Sequence, residues 1–284
     1  MPEGPPTWAA LPSLYPHSPH RARWYVRGMP PENRLSGDDP HLGLTLSGGG
    51  AFGAAHVGVL QVLEERGIRP GIVTGTSSGA LVGCAYAAGL SAESIEALAL
   101  RFSWTRIGNW SWKPRWGLLD THVVTDSIHR LLGEDPRIED LPRRFGAVAT
   151  DLRTRQAVTI DKGPLSAALR ATIAVPGILP PVRLGGRVLA DGGMVDNVPH
   201  AAARELGADR VIVVHLHAKW ENARMMRSTT KISALVADPS VVLIQPEMER
   251  MAQWTMRDVP RLIAEGRRAA AEALDSGTLR ADGR

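Results

Sequence analysis

Cysteine is almost absent: the 284-residue chain has one, Cys84. A single thiol excludes any intrachain disulfide and any CxxC redox or metal site, and it permits a reducing compartment. Set among small apolar residues, Cys84 reads as packing. No HExxH and no Cys/His cluster occurs, so no metal and no other cofactor is expected. Lysine is scarce as well, with four among the 33 basic residues, and 29 acidic residues leave a formal charge of only +4. No basic run is dense enough for a nucleic-acid partner, although the sequence pI is near 9.6. The opening MPEGPPTWAALPSLYPHSPH lacks the basic-then-apolar order of a signal peptide, and its prolines break any amphipathic targeting helix. The expected location is therefore cytoplasmic. There is no internal repeat.

What is present is an ordinary globular composition, 44% hydrophobic and 22% charged, at a length that suits one α/β core. Nine of the 21 prolines fall within residues 1–40, which read as an irregular N-terminal arm with Trp8 and Trp24 as docking points. The folded domain is expected from 41 to 284. Its first elements alternate: a strand at Leu42–Ser47, a glycine loop, an apolar helix to about Arg66, a strand at Ile72–Thr74, and a small-residue helix to about Ala88. Such a βαβα opening favours an α/β fold with a mainly parallel sheet. Ser91 is placed to cap a helix through Arg101, and Thr121 to open one ending at Leu132. Further strands are expected at Phe145–Thr150, Gln156–Ile160, Val188–Ala190 and Arg210–Leu216. Helices are expected near Leu165–Ala171, after Pro199, and through a helical C-terminal part over 240–275, in which Asp258 caps the segment 258–275.

Residues 70–92 form a rival signal. They carry no charge and space Gly71, Gly75, Gly79 and Gly83 four apart, the small-xxx-small pattern of paired membrane helices. The block Thr74, Thr76, Ser77, Ser78 and the strand-like Ile-Val-Thr count against a spanning helix.

The same stretch holds the sharpest chemical signal. Gly75-Thr-Ser-Ser-Gly79 is a GxSxG whose small residues allow an abrupt turn from strand to helix, presenting Ser77 at a helix N-terminus where amides favour negative charge. Alone the motif is weak. Ahead of it, Ser47-Gly-Gly-Gly-Ala-Phe-Gly53 also follows a strand and precedes a helix, so its amides can converge on an anion. Gly48, Gly50 and Gly53 also spell a dinucleotide fingerprint, but no acidic residue follows between Pro70 and Ala92 to hold a ribose. An oxyanion hole is the better use of this amide cluster beside a nucleophile. For a base, Asp191 ends a strand ahead of Gly192 and Gly193. His215 and His217 offer instead the Ser, Asp, His order of α/β-hydrolases. His56 reads as a packing or hydrogen-bonding residue.

Taken together, LTLSGGGAFGAAHVGVLQVLEERGI, GTSSGALVG, LRATIAVPGILPPV and VLADGGMVDNVP resemble the patatin-like phospholipases, in particular bacterial members similar to the catalytic region of neuropathy target esterase. The resemblance covers about residues 42–216. It implies a three-layer α/β/α fold and a Ser-Asp dyad without histidine: Ser77 as nucleophile, Asp191 as base, oxyanion amides from Gly48 to Gly50, and motif glycines at Gly53, Gly75, Gly79, Gly192 and Gly193. The activity implied is hydrolysis of carboxylic esters in phospholipid or lysophospholipid through an acyl-enzyme, with a lipid ester as partner. Asp151 and Pro176 match family segments and read as scaffold. Two positions depart: Phe52 stands where the family usually has Arg or Lys, and Ser78 where it has alanine. The alternative is a non-catalytic lipid or acyl-chain binding module of the same fold. Between Phe102 and Trp116, Trp104, Trp110, Trp112 and Trp116 lie beside four basic residues, which suits either peripheral membrane contact or a loop packed over the core. Oligomeric state is not legible.

Overall fold

A computed structural model describes residues 37–101, 135–217, 230–253 and 255–276. The proline-rich arm up to residue 36, the Trp-rich segment and the helix expected at 121–132 lie outside the described residues. The chain runs β1 (Asp39–Leu46), α1 (Ala54–Glu65), β2 (Pro70–Thr76), α2 (Ser78–Ala87), α3 (Ala92–Arg101), β3 (Arg144–Asp151), β4 (Gln156–Ile160), α4 (Leu165–Thr172), β5 (Val182–Leu184), β6 (Arg187–Asp191), α5 (His200–Glu205), β7 (Arg210–Val214), α6 (Ile232–Ala237), β8 (Val241–Ile244) and α7 (Val259–Asp275). Single 3₁₀ turns occupy Gly50–Gly53, Ile138–Asp140, Gly192–Met194 and Met256–Asp258.

The strands form one sheet in the order β5-β6-β3-β2-β1-β7-β8, with β4 on the other edge of β3. The run from β3 to β8 is parallel, and β4, β5 and β6 add antiparallel pairs. Strand side chains alternate between two apolar layers, as the pleat requires. Leu44, Leu46, Val73, Ile212, Val214 and Val242 join the larger core with α1, α2 and α7. Ile72, Val211, Val213 and Val241 face a smaller core with Ala203 of α5 and Leu235 of α6. The result is the expected three-layer α/β/α arrangement. On the second face, buried Thr74 and Thr76 satisfy their hydroxyls by donating to Pro199 O (3.1 Å) and Asp196 O (2.9 Å).

Two expectations need correction. The segment expected to be helical from 240 begins with β8, whose Val-Val-Leu-Ile run completes the sheet against β7; helix resumes only at Val259. Asp258 precedes α7 but does not cap it, because its carboxylate accepts from Ala252 N (2.9 Å) and pairs with Arg261 (3.1 Å). As expected, the run 70–92 is a strand, a turn and a helix: β2 ends at Thr76 and α2 begins at Ser78. Among the described residues no helix is long and apolar enough to cross a membrane.

Helices α1 and α7 cross at glycine on both sides. A methyl group at Gly58 would sit 2.0 Å from Ile263 O, and one at Gly266 1.9 Å from Ala55 O, so the two backbones touch. This crossing fixes α1 behind the glycine loop that precedes it.

Candidate active site

Parallel pairing of Leu46 with Gly75 sends the glycine loop and the GxSxG turn out of the same end of adjacent strands. Ser77 there holds φ 52° and ψ −121°, a conformation that non-glycine residues adopt only when the surroundings enforce it. The enforcing contacts explain both motif glycines. A methyl at Gly75 would lie 2.5 Å from Ala80 N, and one at Gly79 2.2 Å from Leu46 O. The Ser77 carbonyl accepts from Ala80 N (3.0 Å) and Leu81 N (3.2 Å), which starts α2, while its amide donates to Thr172 Oγ1 at 2.9 Å. Thr172, fully buried, in turn donates to Val148 O. The strained turn is thus tied to β3 through one hydroxyl.

Strand β3 explains how the carboxylate arrives. One edge pairs with β4. The other is shared, because Val148 pairs with Thr76 of β2 and the next residue, Ala149, pairs with Asp191 of β6. Strand β6 therefore runs end-on toward β2, and Asp191 meets the turn that holds Ser77. Its backbone is fixed by Ala174 O, which accepts from Asp191 N (2.9 Å), and by Thr150 Oγ1, which donates to Asp191 O (2.9 Å). A methyl at Gly192 would lie 2.3 Å from Val148 O. The Asp191 side chain is wholly buried, and Oδ1 accepts from Gly193 N at 2.8 Å.

Burial pushes the Asp191 carboxyl up to about 6, opposed by the Gly193 amide and by the Ser77 hydroxyl. Oδ2 itself makes no hydrogen bond of acceptable geometry. The serine hydroxyl is close enough to favour the carboxylate without closing the bond, a common state for catalytic pairs without substrate.

The glycine loop abuts both. A methyl at Gly48 would lie 3.2 Å from Ser77 Cβ and 2.5 Å from Asn197 Oδ1, and one at Gly53 2.7 Å from Ser78 Cβ. The three glycines expected to supply amides are not equivalent. Gly48 N donates to Asn197 O at 3.2 Å, whereas the amides of Gly49 and Gly50 have no acceptor among the described residues. Gly50 has φ 62°, a turn that suits glycine. The stem is anchored at Ser47, whose carbonyl accepts from His56 Nε2 (2.8 Å) and whose hydroxyl accepts from Leu216 N (2.9 Å). His56 is fully buried, and burial holds it neutral, with its pKa lowered to about 4. Phe52 is also fully buried, as part of the larger core.

Other candidates fall elsewhere. His215 Nδ1 faces Gln245 Nε2 at 3.2 Å and His217 is exposed; neither hydrogen-bonds to Ser77 or Asp191. Asp151 shapes the β3–β4 turn by accepting from Arg153 N at 2.9 Å, and Pro176 leads a tight turn closed by Ile178 N to Val175 O (3.0 Å) with Gly177 at φ 83°. Among the described residues no group of acidic, histidine or cysteine side chains is arranged to hold a metal. Trp104, Trp110, Trp112 and Trp116 lie outside the described residues. Sequence reasoning did not single out Thr172 or Asn197. Both lie inside quoted segments, RATIAVPG and MVDNVP, but only the tertiary pairings reveal their partners.

Comparison with known proteins shows the family. The family model described as patatin-like phospholipase matches residues 44–204. An uncharacterized NTE family protein of Mycobacterium tuberculosis is 37% identical over 221 residues, covering 72% of this chain and 60% of that protein. Lysophospholipase nte1 of Emericella nidulans is 34% identical over 186 residues, covering 64% of this chain and 12% of that one. The chain thus spans less than two thirds of the length of these relatives. Among solved structures, VipD from Legionella pneumophila shares the fold with a TM-score of 0.51 at 15% identity, covering 84% of this chain and 67% of VipD.

Proposed function

We propose that this chain, which belongs to the patatin-like phospholipase family, is a serine hydrolase that cleaves carboxylic esters of phospholipid or lysophospholipid through an acyl-enzyme. Family membership supports a hydrolytic fold that acts on lipids. The observation that carries the finer reading is a strained serine beside a buried carboxylate whose second oxygen is unoccupied.

In this reading Ser77 Oγ attacks the ester carbonyl carbon while its proton passes to Asp191 Oδ2. With its carboxyl at about 6, Asp191 is mostly ionised at neutral pH yet basic enough to take that proton. The carbonyl oxygen becomes an oxyanion, and the free amides of Gly49 and Gly50 are the donors available to it. Gly48 serves instead to hold the loop against Asn197. Collapse of the tetrahedral intermediate expels the alcohol, which takes the proton from Asp191. Water, deprotonated by Asp191, then attacks the acyl-enzyme, and collapse of that intermediate returns the proton from Asp191 to Ser77 Oγ and releases the fatty acid. Gly193 N fixes the carboxylate through Oδ1, leaving Oδ2 for the proton.

The test is the intact mass of the protein after reaction with a lipid-like fluorophosphonate, run beside Ser77→Ala. One adduct that the variant lacks supports an activated Ser77. No adduct on folded protein favours the non-catalytic lipid-binding module and refutes the mechanism.

A further inference from the structure

Two hairpin tips stand side by side at the end of the sheet that carries Ser77. The first is the turn between β3 and β4, with Leu152, Arg153 and Arg155; the second joins β5 to β6, with Arg183, Gly185, Gly186 and Arg187. They are locked together because the β6 pairing continues beyond Asp151: Leu152 N donates to Val188 O at 2.9 Å. Gly185 and Gly186 have φ 56° and 74°, the left-handed pair of a tight hairpin turn, so the second tip is rigidly presented.

All four arginines are exposed. None makes a salt bridge or a side-chain hydrogen bond among the described residues, in contrast to Arg143, Arg204, Arg267 and Arg268 elsewhere on the molecule. The carboxylate nearest the first tip, Asp151, is buried and accepts from the Arg153 amide (2.9 Å), and no other acidic residue occurs from Leu152 to Ile160 or from Lys162 to Ala190. Leu152, 38% exposed, lies among the cations. Arg187 stands four positions before Asp191 along β6, about 13 Å of strand.

We propose that these paired tips dock the protein on an anionic lipid surface. Four exposed guanidinium groups without a side-chain partner, beside an exposed leucine, complement a sheet of phosphate headgroups, with leucine entering the interface. Guanidinium also matches phosphate geometry by paired donors. Mounted on the strand that ends at Asp191, the patch would hold the candidate site a fixed short distance from the bilayer. The inference deepens the lipid-ester reading and rests on it for its meaning, but it concerns binding and not turnover.

The experiment is vesicle co-sedimentation of the full chain carrying Ser77→Ala, so that no lipid is consumed. Vesicles of phosphatidylcholine alone are compared with phosphatidylcholine mixed with phosphatidylglycerol. Preferential binding to the anionic vesicles, weakened by added salt, is expected. Each basic side chain near such a surface strengthens binding roughly five-fold. The fourfold change Arg153→Gln, Arg155→Gln, Arg183→Gln and Arg187→Gln should therefore weaken it on the order of 600-fold. The same four changes made with Ser77 intact should leave labelling by a soluble fluorophosphonate unaltered, which shows the site still folded and separates this idea from the hydrolase reading. Equal binding to both vesicle types, or undiminished binding by the fourfold variant, overturns the proposal. So does binding to a single-stranded oligonucleotide with the same arginine dependence and none to vesicles.

Discussion

Replacing Asp191 with asparagine separates what the carboxylate does for chemistry from what it does for stability. The side chain is fully buried, and its carboxyl is raised from 3.8 to about 6 chiefly by desolvation. A raised acid makes its contribution to stability while protonated: that contribution is complete below 3.8 and is lost as pH rises through about 6. The gap corresponds to about 3 kcal/mol of folding free energy at pH 8 relative to pH 3, at 1.36 kcal/mol per pH unit. Asparagine resembles the protonated acid at every pH. Its carbonyl can accept from Gly193 N as Oδ1 does, and its amide can donate toward Ser77 Oγ. The variant should therefore exceed the parent in stability by about 3 kcal/mol at pH 8, and match it near pH 3.

Urea unfolding followed by far-UV circular dichroism at several pH values measures this difference directly. In a chain of this size the gain raises Tm by roughly 6 to 12 °C at pH 8. His56 has the opposite linkage, since its depressed pKa of about 4 costs stability as pH falls below 6.5. It is common to both proteins and cancels in the comparison. Ester turnover should fall on the order of 10⁴-fold in the variant, while the parent's kcat/KM should rise with pH through about 6. A variant less stable than the parent at pH 8, or a gain of the same size at pH 3, would refute the account of a buried ionised carboxylate.

Thr172→Val leaves the Ser77 amide without its buried acceptor; it should cost about 1 to 3 kcal/mol and slow fluorophosphonate labelling, with Thr172→Ser restoring both. A labelling rate unchanged in the valine variant would show that the strained turn needs no such tie. Gly266→Ala drives a methyl into Ala55 O and should cost about 3 kcal/mol in urea unfolding; an unmoved midpoint would contradict the close crossing of α1 and α7. His215→Gln and His217→Ala should each keep ester turnover within about three-fold of the parent, and a loss as large as that of Asp191→Asn would replace the dyad with a triad.

How much of this was legible depends on how local each constraint is. Gly75 meets the backbone of Ala80 within the same turn, so this part of the strand-to-helix turn is written locally, whereas Gly79 is required by Leu46 at the end of the neighbouring strand β1. The alternation of β1, α1, β2 and α2 is equally local, and it dismissed the spanning helix that glycine spacing alone suggests. Strand β8 was hidden because four apolar residues carry no period that separates strand from helix; only the open edge of β7 decides. Asp258 has the composition and position of a cap, yet Ala252 and Arg261 outcompete the helix for its oxygens.

The candidate site shows the same division at finer scale. Sequence treats Gly48, Gly49 and Gly50 as three equal donors, but Asn197, far along the chain, takes the first amide and leaves two. It offers Asp191 as a strand-end carboxylate, but the raised pKa is a product of β6 meeting β2 along one edge of β3, where water is excluded. It passes over Thr172 because a threonine at the end of an amphipathic helix is unremarkable until β3 brings Val148 under it and the turn brings Ser77 above it. The residue types available for chemistry are therefore a local property of the motifs. Their ionisation, strain and free donors arise where three strands from separate parts of the chain come together, which is why substitutions at Thr172 and Asn197 test the site as directly as changes to the motif itself.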